Sequence, residues 1–95
     1  MSYVLSHLAE QDIDEIISYI AEDSIPAAHA FIDSLYDSFD MLVDNPLIGH
    51  SRKDITHQPV RFWTFKWHYL VVYIPENPLK IVRVLSGQRN LSGLL

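Results

Sequence analysis

The sequence predicts an α+β fold: an N-terminal strand and a helical hairpin packed on a small, mostly antiparallel sheet. Three observations predict it. Apolar residues of the first half recur at helical spacing. Three runs in the second half are rich in β-branched and aromatic residues. Between the halves lies PLIGHSRKDITHQP, residues 46–59, a mix of proline, glycine and polar residues that reads as an ordered loop.

Residues 2–6, SYVLS, read as a short strand, with Ser6 placed to cap a helix starting at His7. The segment HLAEQDIDEIISYIAED then sets Ile13, Ile16, Ile17 and Ile20 at i, i+3, i+4 and i+7, one stripe of an amphipathic helix. Glu10 and Asp12 fall in its first turn, where the helix dipole favours anions. Asp23-Ser24-Ile25-Pro26 breaks the pattern: Ser24 can cap, and proline is tolerated in a first turn because its missing N–H has no partner there anyway.

A second helix is expected over about 26–44, with Ala28, Phe31, Leu35, Phe39 and Leu42 on one face and Ile32 and Val43 beside it. Asn45-Pro46 ends it, and the short connection makes the two helices a hairpin. VRFWTFK (60–66), YLVVYI (69–74) and LKIVRVL (79–85) read as strands joined by hairpins. Alternation places Arg61, Trp63 and Phe65 on one face of the first. It places Ile81, Arg83 and Leu85 together on the last. Trp67-His68 has none of the usual glycine or asparagine turn chemistry.

At 95 residues the chain is expected to form a single domain, 1–95. It has no cysteine, which excludes disulfides and thiolate metal sites and points to a reducing compartment. MSYVLSHLAEQD has neither the cationic flank nor the apolar run of a signal peptide. The longest apolar run, 69–74, is far shorter than the ~20 residues of a membrane helix. A cytoplasmic protein with no membrane partner is expected.

Charge divides the chain. Residues 1–46 hold ten Asp/Glu and no Lys/Arg; residues 47–95 hold all seven Lys/Arg with only Asp54 and Glu76. The halves are thus −10 and +5, which predicts an acidic helical face and a cationic sheet rim with different partners.

Chemistry-bearing motifs are sparse. The five histidines show no HxxxH or HExxH spacing, no serine sits in a GxSxG elbow, and no glycine-rich phosphate loop is present. No metal, cofactor or nucleophilic triad is expected. Arg83, among apolar neighbours, reads either as a clamp to a helix carboxylate or as part of a binding surface. Arg89 follows Gly87 just past the last strand, where loop cations are common binding residues. Trp63 and Trp67 read as core or interface residues, or as stacking platforms for bases. His57 or His68 near Arg61 would suit acid–base chemistry on RNA.

In order, the pieces are Leu5-Ser6, Ala9, Asp12, Ile16, Tyr19-Ile20, Asn45-Pro46, Gly49, Arg52, Arg61, Tyr69, Tyr73, Arg83-Val84-Leu85, Gly87 and Arg89. This set resembles the RelE/ParE superfamily of bacterial toxin–antitoxin systems over nearly the whole chain. The resemblance implies the same α+β fold. It also implies one of two activities: RelE-like members cleave mRNA on the ribosome with a basic cluster and often a C-terminal Tyr or His, whereas ParE-like members poison DNA gyrase.

Residue by residue the chain leans to ParE. Leu70 follows Tyr69 where ribonuclease members tend to have arginine, Trp63 stands where a further lysine would fall, and the tail LSGLL has neither Tyr nor His. The net charge of −5 also suits a protein partner better than direct nucleic-acid binding. At the last strand the family commonly has RVLHG-RD; here it is RVLSGQRN, with Ser86 for histidine and Asn90 for an acid.

The expectation is therefore a plasmid-stabilisation type of toxin that binds gyrase without catalysing a reaction itself. Arg61, Trp63, Lys66, Arg83 and Arg89 would form the target surface. A cognate antitoxin, acidic or amphipathic, would fold onto apolar positions left partly uncovered at Phe31, Tyr36 and Phe39. One rival is a ribosome-dependent endoribonuclease using Arg61, Arg89 and His68; another is a non-toxic homologue that still binds antitoxin. A homodimer and a toxin–antitoxin heterotetramer are both left open.

Overall fold

The computed structural model describes residues 2–66 and 68–86. In chain order the elements are β1 (Tyr3–Leu5), α1 (His7–Asp23), α2 (Ile25–Asp44), β2 (Arg61–Phe65), β3 (Tyr69–Ile74) and β4 (Leu79–Ser86). The sheet order is β1-β4-β3-β2, with β1 parallel to β4 and the other pairs antiparallel. The α+β plan expected from the sequence is the one found.

Single serines set both helix starts. Ser6 Oγ accepts the Ala9 N–H at 3.0 Å, a cap on α1, and donates to the Val82 carbonyl at 2.6 Å. One hydroxyl thereby caps a helix and holds it against β4. Ser24 is the only residue between the helices. Its N–H closes α1 on the Ile20 carbonyl and its side chain opens α2 by accepting from Ala27 N–H at 3.1 Å.

The helical stripes face the sheet as their spacing requires. Ala9 and Ile13 of α1 are buried, with Ile16, Ile17 and Ile20 packed beside them. Ala28, Phe31, Leu35, Phe39, Leu42 and Val43 are the buried side of α2. All of these but Ala28 meet Phe65, Val71, Tyr73, Leu79, Ile81 and Val84 from the sheet. Each such side chain removed from water stabilises the fold by about 1.5–3 kcal/mol. The opposite sheet face carries a smaller cluster, Val60, Phe62, Val72 and Leu85, flanked by Ile55, Leu70, Ile74 and Val82.

One sequence expectation fails in β4. Val72 pairs with Arg83 but Tyr73 pairs with Ile81, so β4 advances two residues where β3 advances one. The extra residue, Val82, is a bulge, and a bulge breaks strict alternation. Ile81 consequently lies in the helix-side core and Leu85 in the opposite cluster, not on a shared face.

The β2–β3 turn compensates for its unfavourable sequence at Lys66, whose φ of 49° is left-handed. A side chain there costs roughly 1–2 kcal/mol relative to right-handed backbone.

Candidate functional site

Two clusters of polar contacts decide which sequence-predicted residues are free to meet a partner. The first ties the loop after α2 to the sheet. Tyr73 is fully buried; its hydroxyl accepts the Gly49 N–H at 2.9 Å and donates to the Pro46 carbonyl at 2.8 Å. Burial raises the Tyr73 pKa above its ordinary value, and the Gly49 N–H and the nearby Arg61 charge only partly oppose this. Arg61 donates to the Gly49 carbonyl at 2.6 Å and the Leu47 carbonyl at 3.3 Å. His50 and Phe62 exchange backbone hydrogen bonds at 2.9 and 2.8 Å. A side chain at Gly49 has no room: a Cβ would lie 2.6 Å from the Tyr73 hydroxyl and 2.9 Å from the Phe62 carbonyl. Asn45-Pro46, Gly49, Arg61 and Tyr73 thus act together as a loop anchor.

The second cluster lies where β1 stops short and leaves the edge of β4 without a strand partner. There Asp12 accepts from Arg83 Nε at 2.8 Å and Nη2 at 2.9 Å, and from the Val84 N–H at 3.0 Å. The two side chains are 10% and 14% exposed, so the pair is largely dry. The hydrogen bond to Asp12 is the main cause of a raised Arg83 pKa, with Glu15 adding to it. Of the two sequence readings of Arg83, the clamp is the one seen. Its guanidinium is committed to α1, which corrects its placement on a solvent-facing target surface. Asp12 was legible only as a helix-dipole residue. The signal available was its position: it shares a helix face with Ala9, Ile13 and Ile16, and a carboxylate on an apolar stripe needs a buried partner.

The single cationic rim expected from the charge division is also corrected. Arg61 opens β2 and Lys66 follows its end, so they stand about 17 Å apart along the strand. Lys80 sits near Glu76 at 3.6 Å and Arg52 pairs with Asp54 at 2.9 Å, both at exposed positions. The cause is strand direction: cations close in sequence pattern fall at opposite ends of one hairpin. Trp63 is half-buried against the helix-side core, and Lys66 is exposed, its ammonium 5.9 Å from the Phe65 ring centre. Tyr69 pairs with both Phe65 and Ser86, so β4 ends beside the Lys66 turn. Arg89 lies outside the described residues, as does Trp67.

The apolar positions assigned to antitoxin divide in the same way. Phe31 is 5% exposed and Phe39 fully buried, which corrects the expectation that they are left uncovered. Phe31 stacks edge-on against Phe65 and Tyr69 at 5.4 and 5.2 Å. Tyr36 is half-buried, between Tyr3 at 6.5 Å and Phe39 at 5.4 Å. Among the described residues no helix is long and apolar enough to cross a membrane.

The comparisons agree with this architecture. A solved structure described as "Chromosomal ParDE TA system from P. aeruginosa" superimposes with a TM-score of 0.70 at 21% sequence identity, covering 90% of this chain and 95% of that one. This likeness establishes the fold. A search of curated proteins found no significant match. The sequence itself matches the profile described as "ParE toxin of type II toxin-antitoxin system, parDE" over residues 3–91. The chain belongs to the ParE toxin family of type II toxin–antitoxin systems.

Proposed function

We propose that this chain is a toxin that arrests growth by binding DNA gyrase and is neutralised by a cognate antitoxin in the cytoplasm. The observation that carries the reading is family membership: the match is to ParE, and it extends over residues 3–91. The geometry supports the choice of branch. His68 follows the β2–β3 turn whereas Arg61 lies at the far end of β2, about 17 Å away along the strand. One phosphate cannot be held by Arg61 and protonated by His68 across that span. This separation speaks against pairing His68 with Arg61 in RNA cleavage.

The target surface is accordingly narrower than the five residues expected from the sequence. It centres on the sheet end where Lys66 is exposed and β4 ends at Ser86, with Arg89 three residues further on in the sequence. Trp63 packs in the core beneath β2, whereas Arg61, at the far end of that strand, holds the loop at 47–49 and stands apart from this surface.

The test is supercoiling by purified gyrase with the full chain, and with Arg89→Ala and Lys66→Ala. Inhibition by the parent chain that weakens in Arg89→Ala at an unchanged thermal midpoint supports the reading. Unimpaired supercoiling, together with codon-site cleavage of mRNA on purified ribosomes, rejects it.

A further inference from the structure

The helical half contains a groove that neither polar cluster uses. It is bounded by Leu5 of β1, Glu10, Ile13 and Asp14 of α1, and Tyr36 of α2, and encloses about 200 Å³. Its lining is partly apolar. Ile13 is buried, and Leu5 and Tyr36 are half-buried. Its rim is anionic. Glu10 and Asp14 are four apart on α1, so both side chains stand on one side of the opening. Both are exposed, and among the described residues neither has a cationic partner.

Charge decides the occupant. Residues 1–46 carry ten carboxylates and no Lys or Arg, so no Lys or Arg from this half of the chain neutralises the rim. Asp40 adds to the field on the same side, contributing with burial to a raised Tyr3 pKa. An acidic segment approaching here would meet like charge, which costs affinity; a basic one is steered in and set in register.

We infer that this groove receives a basic amphipathic segment of the antitoxin, an aliphatic side chain on Leu5, Ile13 and Tyr36 with Lys or Arg against Glu10 and Asp14. This rests on the reading of the chain as an antitoxin-bound toxin and specifies the chemistry of that contact. The segment is thereby basic, where the sequence alone suggested an acidic or merely amphipathic one. Of Phe31, Tyr36 and Phe39, Tyr36 is the one residue that the groove retains.

The experiment uses the purified full chain and two short synthetic helices, one of leucine and lysine and the other with glutamate replacing every lysine. Binding is read by fluorescence anisotropy. The lysine helix is expected to bind, to weaken as salt is raised to about 0.5 M, and to lose roughly tenfold or more in affinity for Glu10→Lys with Asp14→Lys. A control variant, Glu22→Lys with Asp23→Lys, changes net charge equally at the other end of α1, about 12–20 Å away. Its affinity is expected to fall by less than about threefold, the residue of screened long-range charge.

Equal binding of the glutamate helix overturns the proposal, and so does equal weakening by the control. Should the lysine pair fail to melt cooperatively, Glu10→Gln with Asp14→Asn reads the same loss without charge reversal. Gyrase is absent from the assay. A negative supercoiling result therefore leaves the groove standing, and a negative peptide result leaves the gyrase reading standing.

Discussion

Asp12 and Arg83, 71 positions apart, are joined by two hydrogen bonds of 2.8 and 2.9 Å, and the same carboxylate accepts the Val84 N–H. One side chain thereby does for the edge of β4 what β1 would have done had it been longer. Asp12→Ala strands a largely buried guanidinium and a backbone donor together, so it should destabilise the fold by about 3–5 kcal/mol. Asp12→Asn keeps an acceptor for Val84 and should cost less. Chemical denaturation of both variants measures the difference. Equal losses would show that the charge, not the hydrogen bond to Val84, carries the effect.

Tyr73 makes the fold sensitive to alkali. Burial raises its pKa, so the folded state holds the phenolic proton more tightly than the unfolded chain does. That contribution is complete below the ordinary tyrosine value near 10. It is lost as pH rises from there through the raised folded value. Thermal midpoints of the parent chain should therefore fall more steeply above about pH 10 than those of Tyr73→Phe. At neutral pH the phenylalanine variant should be the weaker one by about 1–3 kcal/mol, since the Gly49 N–H and Pro46 carbonyl lose their partner.

Gly49 is required for space. Its φ is not in the left-handed region, so the constraint is wholly one of approach: a methyl group would meet a buried hydroxyl and a backbone carbonyl at once. Gly49→Ala should cost roughly 1–3 kcal/mol. In Tyr73→Phe the closest obstacle is gone, so the two substitutions should be less than additive. A double-mutant cycle on denaturation free energies reads the coupling.

Lys66 holds a conformation that suits glycine better. Lys66→Gly should stabilise the protein by roughly 0.5–1 kcal/mol, the relieved strain exceeding the added chain entropy. A thermal midpoint that falls would show that the lysine contact over Phe65 outweighs the backbone strain.

Much of this architecture was legible because its signals are local. The α1 stripe, the Ser6 and Ser24 caps and the YLVVYI strand all follow from periodicity and capping within a few residues. What escaped depends on distant partners. IVRVL reads as plain alternation, and only pairing with Val72 and Tyr73 reveals Val82 as a bulge. The two fates of Arg83 could not be separated without knowing that Asp12 faces it. Phe31 and Phe39 show a different lesson. Their spacing put them on the stripe that builds the core, and the same residues were then assigned to an uncovered surface. Position on a buried stripe is the stronger indicator, since such a helix is held by burying that face.

The pairing of β1 with β4 carries a consequence for synthesis. Tyr3 registers with Leu79, so the first strand emerges from the ribosome long before its neighbour exists. At cellular elongation rates the 76 residues from Val4 through Leu79 take roughly 4–15 s to translate. Throughout that interval the helices can form but the sheet cannot close. Nascent chains that end before β4 therefore lack the assembled sheet, and a partner that recognises only the finished shape has nothing to bind until translation is nearly over.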